Sequence, residues 1–194
     1  MSIKDDLAYL RSISSFIALT TFVFFLTSVM GYWAAGADPD LASQWRAQLD
    51  ALRWILEQPP LTIMIIIFLK NLLASAMAML LGLGLGLIPL LVATSNGFLL
   101  GVVAYGAVQQ SGPLFLAAGI LPHGILELPA VLVSIAIGFR LGYLLALTLA
   151  REKADLAGET RIAVRFLWRY ITPTLFLAAI IETFITPIAI SVVL

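Results

Sequence analysis

The sequence predicts an all-α fold, a polytopic membrane helix bundle of about five spans, and three observations predict it. Of its 194 residues, 61% are hydrophobic and only 11% are charged, whereas a soluble domain keeps roughly a quarter of its residues charged. The mean hydropathy is +1.05. The apolar residues gather into five long runs, each sufficient to cross a hydrocarbon layer of about 30 Å. Residues 1–194 therefore read as a single integral membrane domain whose outer surface meets the lipid bilayer.

Charge and missing residue types narrow the function. Eleven Lys and Arg balance eleven Asp and Glu, so the basic excess that attracts nucleic acid is missing and no nucleic-acid partner is expected. Without cysteine there is no thiolate zinc site and no cysteine nucleophile. No G-x-S-x-G elbow occurs, and no aspartate lies inside an apolar run, which removes the common serine-hydrolase motif and an intramembrane aspartyl protease. The GLGLG stretch at 82–86 follows no strand and holds no lysine, so it is not a phosphate-binding loop. A non-enzymatic protein is expected.

The elements follow in order. The first span covers about 13–35, longer than the roughly 7–15 apolar residues of a signal peptide, and ends in Tyr32 and Trp33, side chains suited to the bilayer interface. Asp40 is a plausible N-cap for the next element, where Leu41, Trp45, Leu49, Leu52 and Leu56 recur at helical spacing. That pattern predicts an amphipathic interfacial helix at about 40–57, stopped by Pro59-Pro60. The second span, about 61–83, runs into GLGLG, and the third covers about 87–108. The fourth region, 114–150, is too long for one crossing, since as a single helix it would extend about 57 Å. Pro122 and Pro129 each remove a backbone donor and crowd the preceding turn. Either a kinked helix continues past Arg140, or a half-helix at 114–121 ends within the membrane and a full span follows. The second reading is preferred: a broken, re-entrant fourth region, interrupted near 122–129.

The fifth span, about 166–194, is preceded by Arg151, Lys153, Arg161, Arg165 and Arg169. Lys and Arg concentrate on the cytoplasmic side. Five crossings then place the N-terminus in the cytoplasm and the C-terminus outside, in a multi-pass protein of the cell membrane. Small residues repeat at four-residue spacing as Gly82/Gly86, Gly97/Gly101 and Gly138/Gly142, which lets helix backbones approach closely. Internal packing is one use of such pairs; a homodimer interface is the other, and a homodimer is expected.

Four ionisable residues lie where charge is expensive: Lys70 in the second span, His123 and Glu127 in the fourth region, and Glu182 in the fifth. A charge at the bilayer centre costs about 2.5–3.5 kcal/mol on insertion scales. Scattered into lipid, three such charges would cost on the order of 10 kcal/mol, the whole stability of a domain. They must face inward and meet. One lysine against two glutamates leaves a surplus negative charge, to be met by a proton, by His123 as imidazolium, or by a bound cation. His123 and Glu127, four apart, share a helix face, and the prolines free the carbonyls of Ala118 and Ile125 close by. A possible divalent cation at His123, Glu127 and Glu182 follows from their donor types. A mid-membrane site for a proton or cation, with permeation or transport as its use, is the leading reading. The alternatives are a membrane scaffold for other membrane or cell-envelope proteins, with the cluster purely structural, and a metal-dependent intramembrane hydrolase. The latter lacks the second histidine of an HExxH motif.

The stretch "LPHGILELPA" at 121–130, with Asn96-Gly97 and Gly101 before it and "AAIIETFITP" after it, resembles the stage II sporulation protein M family. Phe68-Leu69-Lys70-Asn71 resembles that family's second span, and the similarity covers roughly residues 61–190. The resemblance implies a bacterial or archaeal integral membrane protein of about five spans. In spore formers the namesake acts in engulfment, thought to anchor peptidoglycan-degrading partners at the membrane; relatives occur in organisms that make no spores. The residues it carries over are His123, Gly124, Glu127, Asn71, Asn96 and Glu182. Lys70 is not among them, and joins Asn71, Asn96 and Gly124 as the wider polar cluster.

Overall fold

The computed structural model describes residues 3–38, 40–41, 43, 53–55 and 57–193. Among these the chain is built from helices, with no strand. A short α1 (Ile3–Ser12) is followed, after Ile13, by α2 (Ser14–Ala37). Then come α3 (Pro60–Leu80), α4 (Leu87–Ser111) and α5 (Pro113–Leu149). The last helix, α6, covers Leu156–Val193. Helices α2 to α6 are each long and apolar enough to cross a membrane. The expected amphipathic helix at about 40–57 lies mostly outside the described residues.

Two expected boundaries are corrected. Helix α5 runs unbroken for 37 residues through both Pro122 and Pro129, so the interruption near 122–129 and the re-entrant half-helix at 114–121 are absent. The reason is a comparison of losses. Each proline in a continuous helix forfeits one backbone hydrogen bond. A helix end inside hydrocarbon leaves up to four N–H or four C=O groups without partners. Continuity is the cheaper solution. The surplus length emerges at the other end, where Ile137 and Leu141 are completely buried in a core shared with α1, α3 and α6. The helix that carries the last span also begins ten residues before the expected span, at Leu156, where the Asp155 side chain accepts a hydrogen bond from the Gly158 amide at 2.8 Å. That is an N-cap.

The glycine pairs are used within the chain. A Cβ on Gly82 would fall on the Gly138 carbonyl, and one on Gly138 would meet the Ala78 carbonyl and, at 2.8 Å, Pro89 Cγ. Gly142 abuts the Gly86 amide and the Gly82 carbonyl. The turn from α3 to α4 and the middle of α5 therefore touch backbone to backbone, which only glycine permits. Gly86 also carries φ +80°, which suits glycine at this turn. On the other side, Gly97 and Gly101 of α4 meet the Phe24 and Ser28 carbonyls of α2, while Gly31 of α2 meets the Phe98 carbonyl of α4. The homodimer expectation rested on these three pairs, and their close contacts lie inside one chain.

Helix α1 is docked on the start of α6. Asp6 is buried, accepts a hydrogen bond from the Tyr170 hydroxyl at 2.6 Å, and pairs with Arg169 at 3.2 Å. Tyr9 stacks obliquely on Phe166. Burial first, and the nearby Glu159 charge second, push the Tyr9 phenol up, so the ring enters the core as a neutral group. Arg140 of α5 stands 3.6 Å from Glu159 of α6 and closes this end of the bundle.

Candidate functional site

Lys70 is ten residues from either end of α3, or about 15 Å of helix axis in each direction. It lies at mid-membrane if α3 spans. His123 and Glu127 occupy the less buried half of α5, one turn apart. Glu182 lies on α6 within a five-residue π-turn, Ile181–Ile185.

That π-turn has a local cause. Pro187 follows Thr186, just as Pro173 follows Thr172 after the other π-turn of α6, Leu167–Ile171. Proline has no N–H and its ring crowds the carbonyl four residues back; widening the turn relieves that contact. The Thr186 hydroxyl completes it by donating to the Ile181 carbonyl, five residues back, at 3.3 Å. An extra residue in a turn also rotates the following face by about 100°. Single π-turns of this kind recur at functional sites.

The fold brings the three expected ligands together. One side-chain donor atom from each of His123, Glu127 and Glu182 lies within 4.8 Å of the other two. Two atoms about 2.0–2.2 Å from one transition-metal ion stand at most about 4.4 Å apart, so the donors need draw together by no more than a few tenths of an ångström to share one. All three side chains are half-buried. Two carboxylates this close in a medium of low dielectric do not both stay ionised without a proton or a cation to offset their charge.

Thr186, which the sequence reading missed, sets the imidazole. It is buried, and its hydroxyl oxygen lies 3.3 Å from His123 Nδ1. The hydroxyl has one proton, already committed to the Ile181 carbonyl. With that proton on the Ile181 carbonyl, the matching tautomer of His123 donates from Nδ1 and leaves the Nε2 lone pair of the neutral ring available to a metal. The signal was present in the quoted AAIIETFITP: Thr186 stands four residues after Glu182.

The other cluster residues are placed differently. Lys70, Asn71, Asn96, Gly124, His123 and Glu127 all line one cavity of about 460 Å³. Glu182 does not line it and closes the trio from the α6 side. Lys70 is exposed and makes no ion pair among the described residues, contrary to the expectation that all the ionisable groups face inward and meet. Asn96 donates to the Val92 carbonyl at 2.8 Å. Asn71 is only 5% exposed.

The stage II sporulation protein M family matches residues 20–187, which include every residue of the cluster. "Uncharacterized protein MJ0793" of Methanocaldococcus jannaschii is 37% identical over 94 residues, 47% of this chain and 53% of that protein; the match spans about half the length of that relative. No solved structure matches the chain. With five apolar helices and a match over most of its length, the chain belongs to the stage II sporulation protein M family.

Proposed function

We propose that this multi-pass membrane protein binds a divalent cation in the interior of its bundle through His123, Glu127 and Glu182. The observation that carries the reading is the approach of three donor atoms to within 4.8 Å across two helices. One imidazole nitrogen with two carboxylates suits a first-row transition metal. Three protein ligands leave positions for water or a ligand, as open metal sites do. A purely structural role for the trio is disfavoured by the packing: α5 already adheres to α6 through a core that includes Ala130, Ile137, Ile171 and Leu175. We place the N-terminus in the cytoplasm, a reading supported by the contact of α1 with Arg169 and Tyr170 beside the chain's basic stretch.

The test is elemental analysis of the full chain, purified without chelator. About one equivalent of a transition metal per chain is expected, released by chelation and restored on adding the ion. A chain that neither retains nor rebinds such an ion would end the proposal. Movement of the ion is read separately, as flux into vesicles holding the protein.

The threonine adds an independent check. Thr186→Val keeps the shape and removes both the acceptor for Nδ1 and the donor to Ile181, and metal affinity should fall roughly 10–100-fold, as for other partners behind a ligating histidine. Thr186→Ser should restore most of it. Equal affinities for all three proteins would show that the hydroxyl does not orient the ring.

A further inference from the structure

The cavity beside the trio contains polar groups that the cation reading does not use. Asn71 is buried, lines the cavity, and has no hydrogen bond to any other described residue. Lys70, next in sequence, lines the same space without an ion pair among the described residues. A carboxamide with free donors beside an ammonium that no carboxylate contacts directly makes a receptor for an anion. Its surroundings are apolar: Ile120, Leu121, Ile125 and Leu128 line the cavity with them. Leu121 and Ile125 are also 56% and 68% exposed, so this wall opens on the outer face of the bundle. Lys70, ten residues from both ends of α3, sets the depth of that opening in the hydrocarbon rather than in water.

We propose that this cavity binds an amphiphile drawn from the membrane, its anionic head on Lys70 and Asn71 and its apolar tail along Leu121 and Ile125. Charge supports the assignment, and in this respect alone it rests on the cation reading. Two carboxylates, one ammonium and a divalent cation leave one positive charge, which an anionic head offsets in a medium where uncompensated charge is unfavourable. An anion here would also stand beside the trio, whose His123 and Glu127 line the same cavity.

The test uses the full chain in phosphatidylcholine nanodiscs, titrated with radiolabelled dodecyl phosphate against protein-free nanodiscs. Saturable binding near one per chain is expected, at least tenfold weaker in Lys70→Met and within about threefold of wild type in Lys70→Arg. Asn71→Asp, which sets a negative charge against the head, should abolish it and serves should Lys70→Met fail to fold. Three results overturn the proposal: no saturable binding, equal binding by wild type and Lys70→Met, or inorganic phosphate binding as tightly as dodecyl phosphate. Metal content is measured on the same wild-type samples. Lysine-dependent amphiphile binding without metal retires the cation reading alone, and metal without amphiphile binding retires this one.

Discussion

Glu182→Gln is expected to lower affinity for a divalent cation at least ~100-fold, about 2.7 kcal/mol, while the purified chain keeps its helix content. The substitution preserves volume and leaves an amide oxygen, but removes one of only two carboxylates in the trio. A neutral amide oxygen is a weaker donor to a divalent ion than a carboxylate, and the site loses a unit of the negative charge that offsets the ion's. Glu127→Gln should act in the same direction. Because α5 and α6 are held together by buried apolar side chains, neither variant should come apart. Isothermal titration with the metal identified in wild type measures the first half, and circular dichroism the second. A variant that binds as tightly as wild type removes Glu182 from the site; a variant that unfolds makes the trio structural.

The second large effect is on the bundle. Gly138→Leu is expected to destabilise the fold by on the order of 3 kcal/mol or more, since its first side-chain atom already coincides with the Ala78 carbonyl and lies against Pro89. Overpacking of a core by flexible side chains costs about 1–3 kcal/mol; here the obstacle is backbone, which cannot turn aside. Helix α3 and the turn after it would have to withdraw from α5. Gly106 supplies the control, because a Cβ there meets nothing within 4 Å, so Gly106→Ala should leave stability nearly unchanged. Thermal aggregation or denaturation in mild detergent separates them. Similar midpoints for the two variants would mean that the close contact of α5 with the α3–α4 turn is not what holds these helices.

Much of the site was legible in the sequence because charge inside an apolar run stands out against its immediate neighbours. His123, Glu127 and Glu182 were found that way, and the fold joins them. Lys70 was found by the same signal, yet among the described residues it makes no ion pair, and it stands at a cavity wall. The charge count showed that something had to balance, without showing which groups touch. Thr186 escaped notice because a threonine is unremarkable in a membrane helix; its part depends on α5 lying alongside the π-turn of α6. The prolines of α5 misled for a related reason. Their local penalty is visible in the sequence, but the greater penalty of ending a helix inside lipid becomes apparent only in the membrane setting. Helix α1 went unrecognised as a docked element because its partner, Tyr170, is 164 residues away.

By itself the sequence determined which segments are apolar enough to cross, which residue types sit in their middles, and where the basic stretch lies. These are properties of short windows, set by transfer of side chains between water and hydrocarbon, and they need no knowledge of neighbours. Only the tertiary structure decided which helix faces meet. That depends on rotation and axial offset, set here by the glycine contacts of α3, α4 and α5 and by the π-turns of α6. A rotation of about 100°, the angle between successive residues of a helix, would turn Glu182 away from His123 while leaving every hydropathy window unchanged.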